Sequence, residues 1–110
     1  MSIENLVPDL NLISYFTMRE NGFLEIQTVD ELIIDQGVLS ELHKQELINL
    51  FLEEERFDFD NWYFIKNRVI SWNVLDTGTV IIISEGGTVE ISIPSNVVEE
   101  ARELLSIELS

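Results

Sequence analysis

The sequence predicts an α+β fold, an antiparallel meander of four to six strands packed against two or three helices. Three observations carry this. Apolar residues recur at helical spacing near the start of the chain, over 40–55 and over the last fifteen residues. Between Trp62 and Ile93 the period switches to two, with turn residues at short intervals. The chain is 45% hydrophobic over 110 residues, enough to build one core. That length fits one domain spanning 1–110, and no repeat, linker or low-complexity stretch divides it.

The elements follow in order. Val7 to Glu20 reads as a helix, with Pro8 in its first turn, Asn21-Gly22 at its end and a stripe of Leu10, Ile13, Phe16 and Thr17. Phe23 to Thr28 alternates as a strand, and Leu32-Ile33-Ile34 is a second short strand after a turn at Asp30-Glu31. Ser40 suits the N-cap of a helix running to about Glu55. Its apolar arc is wide: Leu39, Leu47, Leu50 and Phe51 share one face, while Ile48 and Leu52 lie across from them. Such an arc suits two core layers or a partner surface, and leaves room for a homodimer.

Beyond Asp60, strands are expected over Trp62–Lys66, Arg68–Leu75, Thr79–Ser84 and Thr88–Ile93. Asn67, Asp76-Thr77-Gly78 and Glu85-Gly86-Gly87 are the turns between them. Val80 to Ile83 is apolar throughout, as in a central strand covered on both faces. Pro94 ends the sheet. Asn96 with Glu99 fits a capping box for a last helix whose stripe is Val97, Val98, Ala101, Leu104 and Leu105.

Charge narrows the function. There are 21 acidic residues against 6 basic ones, a formal net charge of −15, and no lysine or arginine between Val69 and Ala101. Such a skin repels the phosphates of nucleic acid and an anionic membrane surface. The absence of cysteine excludes disulfides, zinc–thiolate sites, iron–sulfur clusters and thiol nucleophiles. It also leans towards the cytoplasm. Met1 to Asn5 lacks the basic region and apolar run of a signal peptide, and no apolar run approaches the roughly 20 residues of a membrane helix.

Candidate chemistry is sparse. The one histidine, His43, sits among leucines at helical spacing and reads as a boundary residue rather than a general base. Asp58-x-Asp60 opens like a calcium loop, but Trp62 stands at its fifth position and no glutamate at its twelfth. Asp76-Thr77-Gly78 spells the aspartic-protease tripeptide once, in a hairpin. No phosphate loop, metal site or cofactor motif is present, and no enzyme activity is expected. The densest feature is the run from Glu53 to Asp60, with five carboxylates in eight residues. Glu53, Glu54, Glu55, Asp58 and Asp60, with Phe59, Trp62 and Tyr63 as aromatic anchors, are the expected partner-binding residues.

These features together predict a small acidic protein-binding module that inhibits a basic, nucleic-acid-handling protein, in the manner of phage inhibitors and DNA mimics. It would make no direct contact with nucleic acid or membrane. An immunity protein or antitoxin masking a toxin rests on the same physics. In a regulatory or accessory subunit the charge would serve solubility alone.

Overall fold

Residues Ile13–Met18, expected within a helix, instead form strand β1 at the centre of a five-stranded sheet. The apparent helical stripe has a simple cause. All but the last residue of this segment is buried, because the sheet is covered on both faces. A strand buried on both faces loses the polar alternation that marks a half-exposed one. Its β-branched and aromatic residues, Ile13, Tyr15, Phe16 and Thr17, are nonetheless those that strands favour.

The computed structural model describes residues 3–109, so the leader reading falls partly on Met1 and Ser2, outside the described residues. The other strands are β2 (Leu24–Thr28), β3 (Leu32–Asp35), β4 (Arg56–Phe59), β5 (Trp62–Ile65), β6 (Val69–Val74), β7 (Thr79–Ser84) and β8 (Gly87–Ser92). The helices are α1 (Ser40–Leu50) and α2 (Val98–Glu108). The first sheet has the order β3-β2-β1-β5-β4, and the second has the order β6-β7-β8. Every pairing is antiparallel. The α+β class therefore holds, with eight strands rather than four to six among the described residues.

The expected 62–93 meander is divided. Strand β5 pairs with β1 and β4, and only β6, β7 and β8 form a meander of their own. The 3-10 turn Lys66–Arg68 carries the chain from one sheet to the other, where sequence reading placed a hairpin turn at Asn67.

Two cores result, one on each face of the first sheet. Phe16, Leu24, Ile26 and Ile65 meet Leu47 of α1 and the N-terminal Ile3 and Val7 on one side. Tyr15, Phe57 and Phe64 meet Val80, Ile82, Val89 and Ile91 of the second sheet, and Val98, Ala101 and Leu105 of α2, on the other. Burying each such side chain contributes about 1.5–3 kcal/mol. Aromatic pairs bridge the strands: Phe16 stacks on Tyr63 at 5.0 Å, and Tyr15 meets Phe64 at 5.8 Å.

Other expectations shift in detail. Helix α1 stops at Leu50, and Glu53–Glu55 form a separate 3-10 turn closed by the Glu55 carboxylate on the Leu52 N–H (2.8 Å). The Ser40 hydroxyl does not cap α1. It donates to the carbonyls of Asp35 (2.9 Å) and Gly37 (2.8 Å). The Asn96–Glu99 capping box is absent, because a 3-10 turn, Ser95–Val97, leads into α2. Strand β7 is fully covered on one face only: Val80 and Ile82 are buried, while Ile83 is exposed.

The Glu85-Gly86 turn between β7 and β8 locks the two sheets together. Gly86 has φ +94, and a Cβ there would strike the Thr28 carbonyl of the first sheet. Gly86→Ala is expected to lower stability by more than about 1 kcal/mol. Phe16→Ala should cost about 3–5 kcal/mol. Urea unfolding of both variants measures this. A Gly86→Ala protein as stable as the parent would show that the sheets do not interlock there.

Candidate functional site

The fold separates the eight residues expected to bind a partner. Glu53 and Asp58 line a cleft of about 220 Å³ with Glu108 of α2. Glu54 and Glu55 border a second, of about 320 Å³, beside Lys66 and Arg68. Asp60 and Trp62 lie in a third, of about 450 Å³. The aromatic residues are not anchors held out to solvent. Phe59 and Trp62 are half-buried against the core that faces the second sheet. Tyr63 is half-buried against the opposite core. A strand sends successive side chains to opposite faces, so Trp62 and Tyr63 could not present one surface.

The third cleft is the largest of these and is built by two connections at one end of the first sheet. Residues 19–23 join β1 to β2, with Gly22 at φ +85. Asp60 and Asn61 form a two-residue turn between β4 and β5, with Asp60 in the left-handed region at φ 57. Asp and Asn tolerate that region because their short side chains find local partners. The second connection is tied to β1: the buried Thr17 hydroxyl donates to the Asn61 carbonyl (2.7 Å). Arg19 and Asn21 complete the rim. Asn21 accepts the Phe23 N–H (3.0 Å), which shapes the loop. The cleft thus gathers the Asn21 and Asn61 amides, the Arg19 guanidinium and the Glu20 and Asp60 carboxylates around the half-buried Trp62. Sequence reading found Asp60 and Trp62 here. It missed Arg19, Asn21 and Asn61, because their stretch was assigned to a helix end or left without a role.

Every one of the six cations sits in an ion pair among the described residues. Arg19 pairs with Glu25 (2.5 Å), Lys44 with Glu41 (2.9 Å) and Arg56 with Asp58 (2.7 Å). Lys66 pairs with Glu108 (2.9 Å) and Arg68 with Glu85 (2.7 Å). Arg102 pairs with both Asp76 and Glu99. Several are also structural: Arg56 donates to the Ile48 carbonyl at the end of α1, and Arg102 to the Val74 carbonyl at the end of β6. The Arg102 pair also accounts for Asp76, whose tripeptide lies in the loop between β6 and β7.

His43 is buried on α1, and its Nδ1 lies 2.6 Å from Oδ2 of Asp35 at the end of β3. Its Nε2 is buried without a partner. The other Asp35 oxygen accepts the Gly37 N–H (3.1 Å). This pair ties the helix to the sheet edge. Burial pushes the Asp35 carboxyl up, but the hydrogen bonds from His43 and Gly37, together with the charge of His43, outweigh it, and the group lies below its ordinary value. Among the described residues, no three His, Asp or Glu side chains converge as metal ligands, and no helix is long and apolar enough to cross a membrane.

No protein-family model matches the chain. No curated protein matches it. Among solved structures it is similar to the LytTr DNA-binding domain of a protein described as a methyl-accepting/DNA response regulator from Bacillus cereus. The TM-score is 0.57 at 13% identity, over 87% of this chain and 83% of that one. At this identity the likeness shows the fold.

The likeness corrects the functional expectation. The reading as an acidic inhibitor or DNA mimic of a basic protein, with its immunity-protein and accessory-subunit alternatives, excluded direct contact with nucleic acid. The chain instead shares its fold with a LytTr DNA-binding domain. The acidic run is split among three clefts, and its aromatic residues pack inward.

The Asp35–His43 contact sets an acid limb of stability. The folded Asp35 carboxyl sits below its unfolded value of about 3.9, so its contribution is fully present above that value. The contribution is lost as pH falls through the folded value. Asp35→Asn is expected to lower stability at neutral pH and to flatten this limb. Urea midpoints taken from pH 7 to pH 3 test this, and two parallel curves for parent and variant would refute it.

Proposed function

We propose that this chain is a DNA-binding domain of the LytTr architecture, with duplex DNA as its ligand. The observation that carries the reading is the fold shared with a DNA-binding domain over 87% of the chain. The cleft at the end of the first sheet supports it, because Asn21 and Asn61 on its rim are of a residue type that reads base edges through paired hydrogen bonds.

Charge sets how this binding works. Basic domains gain affinity by releasing counterions from phosphates, and lose it steeply as salt rises. Here every cation is already paired and the net charge is −15. Binding therefore rests on neutral hydrogen-bonding groups, is weak in absolute terms, and is opposed by repulsion that salt relieves. The expected salt dependence is the reverse of a basic domain's.

We place the protein in the cytoplasm, in keeping with its lack of cysteine, and assign it no catalytic step. The commitment of His43 to Asp35 inside the fold supports the second assignment.

The test is selection from a randomised duplex library, followed by fluorescence anisotropy of the enriched sequence at 50 and 200 mM salt. The expected result is saturable binding that holds or strengthens at the higher salt. Asn61→Ala should weaken it by about 1–3 kcal/mol. A library that yields no enriched duplex, with no anisotropy change at high micromolar protein, overturns the reading.

A further inference from the structure

Strand β3 is an open edge of the first sheet, since it pairs with β2 alone. The Thr28 N–H donates to the Glu31 carbonyl (2.9 Å). Bonded and non-bonded pairs alternate along an antiparallel ladder, so Ile26–Ile33 and Leu24–Asp35 are the next bonded pairs. The backbone groups of Leu32 and Ile34 therefore point away from the sheet, towards open space.

Natural sheets guard such edges with exposed charge, proline or bulges. This edge has no proline and no bulge, and its one exposed charge is Glu31, at its start. From Leu32 to Ser40 the one charged residue is Asp35, which is buried and turned to His43. The same stretch and the first turn of α1 hold the densest run of exposed large apolar side chains. Leu32 is 52% exposed, Ile34 46% and Val38 100%, with Leu39 and Leu42 beside them in sequence.

We propose that β3 is a self-association edge, where two copies of this chain pair β3 against β3 in antiparallel fashion and join their sheets into one. A two-fold contact needs a self-complementary surface. An open strand edge is one, because its donors and acceptors meet the same groups on a second copy. Charge selects the occupant. Two copies at −15 repel, but between Leu32 and Leu39 the one carboxylate, Asp35, is buried, so they can approach along this segment without an exposed acid between them. A strongly charged partner would find no opposite charge here to recognise. The area also fits: the exposed parts of these five side chains amount to roughly 500 Å² per copy, most of the roughly 800 Å² per partner in a standard interface.

Sedimentation equilibrium of the full chain across protein concentration, at 10 and 300 mM salt, tests this. The expected result is a monomer–dimer equilibrium that tightens at least tenfold at the higher salt, where the screening length is well under 10 Å. Amide exchange at Leu32 and Ile34 should slow in the dimer. Ile34→Lys and the fully exposed Val38→Lys should each restore the monomer, and Ile107→Lys on α2 should not. A monomer at every concentration and salt overturns the proposal. So does a dimer that both edge variants leave intact, or one lost only with Ile107→Lys.

Discussion

The burial of β1 on both faces is the constraint from which the rest of the structure follows. Its side chains go alternately to two cores, Phe16 to one and Tyr15 to the other, and its backbone bonds are satisfied by β2 and β5. With no face left for solvent, the sheet needs a cover on each side. Helix α1 and the N-terminal segment supply one. The β6–β8 meander with α2 supplies the other. The short crossing at Lys66–Arg68 exists because the chain must leave the first sheet to build that second cover.

The charge is arranged around this frame rather than on one face of it. The cations hold joints: Arg56 closes the end of α1, Arg102 joins α2 to β6, and Lys66 and Arg68 brace the crossing. Each brings a carboxylate with it, so the excess acid is left spread over turns, clefts and the outer face of the second sheet. Exposed pairs of this kind contribute little individually, on the order of 0–1 kcal/mol. Their consequence is electrostatic: each of the six cations has a carboxylate beside it.

Much of the fold was legible. Strands β2, β3, β7 and β8 and helix α2 lie within a residue or two of where alternation and helical periodicity put them. The class follows from the same patterns. The largest departure, β1, has its physical source in the doubly covered sheet. It removed the alternation from β1, so that a run containing Leu10, Ile13 and Phe16 looked helical. Strand β4 was missed for a different reason: Arg56-Phe57-Asp58-Phe59 alternates, but over four residues in an acidic run its Phe57 and Phe59 read as aromatic islands rather than as the inward face of a strand. The site was less legible than the fold. Asp60 and Trp62 were singled out for charge and ring, yet Asn61 between them was not. A positive φ at an Asp-Asn turn is a backbone property that composition does not announce. Arg19 and Asn21 join them through pairing of distant strands, which no local pattern encodes.

The crossing at Lys66–Arg68 also divides the fold in time. Residues up to Ile65 contain all five strands of the first sheet and α1, while everything that covers its other face comes later in the chain. Synthesis therefore makes Tyr15, Phe57 and Phe64 before the Val80, Ile82 and Leu105 side chains that cover them. At about 5–20 residues per second, the wait for α2 lasts seconds. The acidic residues already present in the first half add charge repulsion between chains during that interval.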